Sequence, residues 1–356
     1  MSKKPLDSED QPNPEAGFSS NEVAGILSRY DIGTISSVRA YERGSSRAPK
    51  ALIESDAGEF LLKRRAPGRD EPRRIKFEHT VHGQLRKAGY PVAEIMASRR
   101  SRSTAIRGSH GMYELFRFIR ASRCHGTSIE LEACGAALSD FHGILNDFDY
   151  PARQGGGFHG VSRLDKHVEK YSSHLSRRSR RICNQIRECY TEAAQNVDSL
   201  GWSKWSTTIV HGDWHPGNVL FGDRSNVRVV LDFDNVRREP RIVDIASAIL
   251  HFGRYVTALH NDEGSTWPVQ LHEPSVKSLA RGYASHAARS PVATELAALP
   301  ALMVEAIALE TIPSLLREGR FGDHSINDFL PVVSDSLKNM LSNSGRLIAT
   351  LQTILG

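Results

Sequence analysis

The sequence predicts an α+β chain in which a small, β-rich N-terminal portion with one helix precedes a larger, mostly helical portion. Three observations carry this. Residues 32–65 hold strand-like runs separated by turn residues. Residues 74–89 interrupt them with apolar positions at helical spacing. From Ser128 onward most of the chain reads as helix, with strand-like runs confined to 207–233.

Residues 1–19, rich in Pro, Ser, Asp and Glu, are expected to be a disordered tail. A short helix follows over 19–30, capped by Ser20 or Asn21, with Val23, Ile26 and Leu27 on its apolar side. Strands are expected over 32–42, 49–55 and 58–65. The last two are joined by the hairpin turn Asp56-Ala57-Gly58. After Pro72, the run RIKFEHTVHGQLRKAG predicts a helix with Ile75, Glu78, Val81, His82 and Leu85 on one face, ended by Gly89. Two more strands are expected near 94–98 and 111–119, with a basic loop between them. Helices are then expected over 128–145, 161–196, 243–259, 276–287, 292–318 and 325–355. Pro300 and Pro313 are expected to break or kink the fifth. Strands are expected at 207–210, 219–221 and 227–233.

With 356 residues, 39% of them hydrophobic, the chain can bury a sizeable core in two domains or two lobes. A net charge of +5 suits an anionic ligand such as a nucleotide and is weak grounds for nucleic acid. Cys124, Cys134, Cys183 and Cys189 form no CxxC pair, and no His cluster sits at zinc spacing. They read as the reduced thiols of a cytosolic protein. The N-terminus has no apolar core of a secretory signal, and no stretch is expected to approach the roughly 18 apolar residues of a membrane span.

The chemistry concentrates in TTIVHGDWHPGNVLFGDRSNVRVVLDFDNV, residues 207–236. A polar loop, His211 to Asn218, lies between two strand-like runs, and Asp232 ends the next run. A hairpin there is expected to bring Asp213, Asn218 and Asp232 together. Phosphoryl transfer needs a carboxylate to orient an accepting hydroxyl and oxygen ligands for Mg²⁺ on a triphosphate. The five-residue step from Asp213 to Asn218 matches a catalytic loop in which Asp is the base and Asn a metal ligand.

HGDWHPGN, then VVLDFD, then VDIA, together resemble the aminoglycoside phosphotransferase and choline kinase superfamily, which includes type II homoserine kinase-like enzymes. The matching positions are His211, Gly212, Asp213, His215, Asn218, Asp232, Phe233, Asp234, Asp244, Ile245 and Ala246. The resemblance implies a protein-kinase-like bilobal fold, with residues 20–120 as a nucleotide-binding lobe and 121–356 as a catalytic and substrate-binding lobe. It implies Asp213 as the catalytic base and Asn218 and Asp232 as Mg²⁺ ligands. His211, Asp234 and Asp244 would have supporting roles.

On the nucleotide side, Lys63 is expected to meet the α- and β-phosphates and to pair with Glu78 on the following helix, with Arg64 or Arg65 as competitors for the lysine's role. Ser46, in Gly44-Ser45-Ser46-Arg47, is the candidate for a phosphate-covering turn. The connector MYELFRFIRAS departs from the family in carrying Ala121 where Gly is usual. Adenine is expected there, with Phe116 lining its pocket and backbone hydrogen bonds near Arg117 and Ile119. Gly135, Leu138, Phe141 and His142 resemble the family's G-x-x-L-x-x-[FL]-H helix, with His142 structural.

The implied reaction moves the γ-phosphoryl group of Mg-ATP to a hydroxyl of an amino alcohol, a homoserine-like compound, a sugar or an antibiotic. A protein Ser/Thr kinase and a catalytically silent nucleotide-binding scaffold are the alternatives. No nucleic-acid or membrane partner is expected, and the setting is cytoplasmic. Asp323, Asp328 and Asp335 are scattered, with Glu305 and Glu310 on an apolar helix, which weighs against a polycationic acceptor. The basic run at 177–181 reads as a solvated helix face.

Overall fold

The computed structural model describes residues 17–42, 47–151, 157, 159–160, 162–171, 175–260, 270–322 and 324–356. The chain divides into two compact units. One is Met1–Ala121 with Val229–Asp234, and the other is Ser122–Arg228 with Asn235–Gly356.

The first unit opens with α1 (Ser20–Leu27). Its cap is Ser19, not Ser20 or Asn21. The Ser19 Oγ accepts from the Glu22 N–H at 3.2 Å, and the Glu22 carboxylate answers the Ser19 N–H. This is the Ser-x-x-Glu capping box, readable at 19–22. Phe18 is buried, and the Arg64 guanidinium lies 5.2 Å from its ring centroid. Gly17, Phe18 and Ser19 therefore belong to the folded unit, and the expected tail is shorter than predicted; residues 1–16 lie outside the described residues.

β1 (Ile35–Ala40), β2 (Lys50–Ser55), β3 (Gly58–Arg64), β4 (Ile106–Gly108) and β5 (Gly111–Arg117) form one antiparallel sheet in the order β1-β2-β3-β5-β4. Alternation along β3 sends Phe60 and Leu62 into a core shared with α1, Ile53, Tyr113 and Leu115, and turns Leu61 and Lys63 to the other face. α2 (Pro72–Lys87) is inserted between β3 and β4 and buries Ile75, Phe77, Val81 and Leu85.

The segment predicted as a strand at 94–98 makes only single ladder contacts. Ile95 bridges to Phe116, and the Met96 N–H donates to the Leu115 carbonyl at 2.7 Å. The outer strand is β4 instead, taken from the predicted basic loop. Three residues, Ile-Arg-Gly, are too few for alternation to show.

In the second unit α3 (Ser128–Ile144) starts at Thr127 with a capping box to Glu130. The helix predicted over 161–196 is two, α4 (Ser162–Tyr171) and α5 (Arg177–Ser199), because Ser176 caps a new start by accepting from the Ser179 N–H at 3.1 Å. Arg177, Arg178, Arg180 and Arg181 are all exposed on α5, a solvated face as expected. β6 (Thr207–Val210) pairs antiparallel with β9 (Arg237–Pro240). Between them β7 (Val219–Phe221) and β8 (Val227–Val230) flank a turn closed by the Gly222 N–H and the Asn226 carbonyl at 2.9 Å. The predicted strand to Phe233 stops at Val230, and Phe233–Asn235 is a 3-10 turn. β9 went unread because Arg-Arg-Glu-Pro has neither β-branched residues nor apolar alternation.

The remaining helices are α6 (Ile242–His260), α7 (Glu273–His286), α8 (Ala293–Glu318), α9 (Ile326–Ser342) and α10 (Ser344–Leu355). A short β10 (Arg320–Phe321) and β11 (His324–Ser325) hairpin follows α8. The helix predicted over 325–355 is thus split at Asn343. α8 runs unbroken through Pro300 and Pro313, since burial on both flanks outweighs about 3 kcal/mol per interrupted turn. By length and composition α8 is also apolar enough to cross a membrane, contrary to the sequence expectation. Yet 78% of its apolar window is buried inside this unit, as in a core helix. α3 and α7 meet backbone to backbone: a Cβ on Gly135 would sit 2.0 Å from the Leu279 carbonyl oxygen, and one on Gly282 1.9 Å from that of Glu132.

Candidate functional site

In the first unit the sheet delivers Lys63 to a buried position, 6% exposed. Its Nζ donates to Asp232 Oδ1 at 3.1 Å and to both carboxylate oxygens of Asp234 at 3.0 Å. Asp232 and Asp234 belong to this unit because the Val230 N–H donates to the Pro91 carbonyl at 2.7 Å, pinning β8 beside the segment after α2. Burial alone would lower the Lys63 pKa, but the two carboxylates overcome it and hold the ammonium above the ordinary lysine value. Asp232 has φ 61°, a left-handed conformation that Asp tolerates better than most residues but that is still strained. Its side chain keeps 40% exposure.

The expected Lys63–Glu78 pair is not formed. Glu78 is taken by Arg65 Nη2 and by Arg74, whose Nε donates to Glu78 Oε1 at 2.8 Å. Arg65 also reaches Glu114 Oε1 at 2.6 Å and Asp234 Oδ1 at 3.3 Å. Arg74 donates to the Asp234 carbonyl. Arg65 thus intervenes between the lysine and the helix acid. Burial raises the Glu78 carboxyl to about 7 despite the two arginines. Burial also works against ionisation of Glu114, yet His79, Arg65 and Lys63 bring it down to about 2.

Sequence reasoning named Arg65 only as a rival for the lysine's role and missed Arg74 and Glu114 as members of this network. Two signals were available. Arg65 follows Lys63 by two residues and shares its face, and Arg74 sits four residues before Glu78.

On the connector, Phe116 is half-buried opposite Leu61. The Arg117 N–H already donates to the Glu94 carbonyl at 2.8 Å, so of the backbone groups expected to bond adenine near Arg117 and Ile119, the Arg117 amide is committed within the protein. Ile119 makes no backbone hydrogen bond among the described residues. Ser46 lies outside the described residues, with Gly44 and Ser45.

In the second unit the polar loop after β6 is held from behind by Asp244, at the start of α6. This wholly buried carboxylate accepts the His211 N–H at 2.6 Å and the Gly212 N–H at 2.8 Å. His142 on α3 meets Asp244 Oδ2 through Nε2 at 3.1 Å and the Tyr283 hydroxyl through Nδ1 at 2.9 Å. Asp244 and His142 therefore brace the loop. Gly212 has φ 76°, and a Cβ there would lie 1.9 Å from Arg237 Nη1, so only glycine fits. His211 and Trp214, both fully buried, pack against Phe141.

Asp213 keeps a 35% exposed side chain. Its Oδ2 accepts from Asn235 Nδ2 at 3.4 Å, and His215 Nε2 lies 3.7 Å from Oδ1. The Asn218 Nδ2 donates to the Asp213 carbonyl at 3.0 Å, which leaves the amide oxygen as the group available to a cation. Beyond His215 comes His251, with ring centroids 6.0 Å apart, whose Nε2 sits 3.0 Å from Glu310 Oε1. The His251–Glu310 pair has no sequence signature, since it joins α6 to α8 across 59 residues.

Burial opposes ionisation of Asp244, but His142 and the loop amides bring its pKa below the ordinary 3.8. A carboxyl lowered on folding contributes stability that is complete above about pH 3.8 and fades as pH falls through the folded-state value. Asp244→Asn is expected to cost about 3 kcal/mol in urea unfolding at pH 7, because two backbone donors and His142 lose a charged acceptor. The variant should also lose less of its remaining stability than the parent below pH 3.8.

The model of the phosphotransferase enzyme family matches residues 37–287, more than half of the chain. No curated protein sequence matches it. Solved structures share the fold at low identity. An amicoumacin kinase, solved with AMP-PNP and Ca²⁺, is 15% identical with a TM-score of 0.69, over 91% of this chain and 94% of that one. The microcompartment-associated aminopropanol kinase is 15% identical with a TM-score of 0.67, over 91% and 98%. An aminoglycoside phosphotransferase from Alicyclobacillus acidocaldarius is 14% identical with a TM-score of 0.64, over 99% and 98%. With a family match of this extent, and the α+β kinase-like fold those structures share, the chain belongs to the phosphotransferase enzyme family.

Proposed function

We propose that this chain transfers the γ-phosphoryl group of ATP, with Mg²⁺, to a hydroxyl of a small molecule. The observation that carries the proposal is the buried, ionised Lys63 shared between Asp232 and Asp234. A lysine kept charged away from water, beside a strained and exposed carboxylate, suits a triphosphate and its cation. The family membership supports phosphotransfer, and the amicoumacin and aminopropanol kinases support a small acceptor.

Lys63 is assigned to the α- and β-phosphates, where its ammonium offsets charge at a fixed position. Asp213 is assigned to the acceptor hydroxyl, which it orients and from which it takes the proton as transfer proceeds. Mg²⁺ is assigned to the carboxylate of Asp232 and the amide oxygen of Asn218, which as hard oxygen ligands suit it by their chemistry and are few enough to leave positions for phosphate and water. Bound there, the ion would neutralise charge building on the phosphate oxygens. Asp234 holds Lys63 in place, Asp244 and His142 brace the backbone that presents Asp213, and His211 supports it by packing on Phe141. Ile119 is assigned the adenine hydrogen bonds, and Phe116 the adenine's apolar contact.

The test is a screen of ADP release over amino alcohols, sugars and aminoglycosides, with and without Mg²⁺. At least one small alcohol should raise ADP release above the basal rate, and only with Mg²⁺ present. Failure of every small alcohol, with phosphate transferred to protein extracts, would contradict the proposal.

A further inference from the structure

Behind the catalytic face of the first unit lies a cleft of about 510 Å³ between α2 and the loop before β4. Its volume is in the range of sites for small organic molecules. Ile75, Ile95 and Met112 give it an apolar floor, while Lys76, Arg86 and Arg102 supply a basic rim. No Asp or Glu is among the described residues that line it. Arg86 has a counter-ion at its edge, Glu94 at 3.5 Å. Lys76 and Arg102 have no ion-pair partner among the described residues. Among the described residues, Arg102 is also one of three non-glycine residues with a left-handed backbone, at φ 57°.

We propose that this cleft binds a small amphiphilic anion: an apolar body that covers the floor, carrying a carboxylate, phosphate or sulfonate that meets Lys76 and Arg102. An apolar floor favours a ligand with an apolar body, and two unpaired cations at its edge favour one with a negative end.

Occupancy is tied to the Lys63 network by contacts within this unit. Thr104, in the cleft wall, bonds His79 Nδ1 at 2.6 Å. His79 Nε2 donates to Glu114 Oε1 at 2.7 Å, and the same oxygen accepts from Arg65 at 2.6 Å. Arg65 reaches Asp234, which holds Lys63. A ligand that moves Thr104 or α2 therefore shifts the groups that fix the lysine. This second claim rests on the proposed role of Lys63 in nucleotide binding.

The 356-residue chain is to be titrated with anilinonaphthalene sulfonate, a fluorescent probe of this chemistry. The parent should show one saturable site. Lys76→Ala with Arg102→Gly should weaken it at least tenfold; both residues are exposed, and glycine suits the backbone at 102. Gly83→Leu should abolish binding by filling the cleft, where a Cβ meets nothing within 4 Å, and should raise helix propensity rather than unfold the protein. Equal probe binding by all three proteins, or no saturable binding by the parent, would overturn the site.

Mg-ATP affinity, measured by calorimetry with and without saturating probe, should change at least threefold in the parent and not at all in Gly83→Leu. An unchanged parent affinity would overturn the coupling. The probe pattern without any Mg-ATP binding would support the cleft and count against the functional reading, so the two failures are distinct.

Discussion

Asp213→Ala is expected to lower turnover by roughly three orders of magnitude while Mg-ATP still binds, since a positioned general base contributes about 10²–10⁴-fold. The loop that carries Asp213 is fixed from its backbone. Asp244 holds the amides of His211 and Gly212, and Asn218 bonds the Asp213 carbonyl. None of those contacts involves the Asp213 side chain, so its removal leaves the loop in place. Among the described residues, the Asp213 carboxylate itself has only a long contact to Asn235 and a more distant histidine. A structural role would show as a lower melting temperature. A catalytic role shows as lost turnover at unchanged melting temperature and unchanged nucleotide affinity. Near-normal turnover would remove Asp213 from the chemistry.

Asp232→Ala is expected to weaken Mg-ATP binding by roughly 30- to 150-fold in calorimetry, with a smaller loss when Mg²⁺ is omitted. The estimate follows from about 2–3 kcal/mol for one charged contact. Asp232 does two things that the substitution ends: it offers an exposed carboxylate, and it takes one of the Lys63 bonds. Lys63 retains Asp234, so the lysine stays charged and in place. Loss of affinity should therefore depend on Mg²⁺. Equal affinity in parent and variant would take Asp232 out of the metal site.

Much of this was legible in the sequence, for identifiable reasons. The strands β2 and β3 and the turn between them follow from alternation and a Gly, and α2 from its apolar spacing after a Pro. Asp213, Asn218, Asp232 and Asp244 stand at fixed intervals in one short stretch, where local spacing carries the signal. Distant pairings were not legible. Glu78 was matched to Lys63 because both lie on adjacent elements, yet Arg65, two residues on, has the longer reach and captures it. Backbone bonds to adenine were expected near Arg117, but Glu94 claims its amide; the run at 94–98, read as a strand, makes only single ladder contacts, and its sequence gave no register from which to see this. Val229–Asp234 groups with the N-terminal unit through Pro91 and Lys63, contacts made over 139 and 169 residues that no local pattern reports.

The most direct measurement follows the phosphorus itself. ATP labelled at the γ-phosphate is incubated with Mg²⁺, an acceptor found in the ADP screen, and either the parent or Asp213→Ala. The label is expected in a phosphate ester of the acceptor with the parent, and to remain in ATP with the variant. Label released only as inorganic phosphate, or ester formed equally by both proteins, would contradict the account.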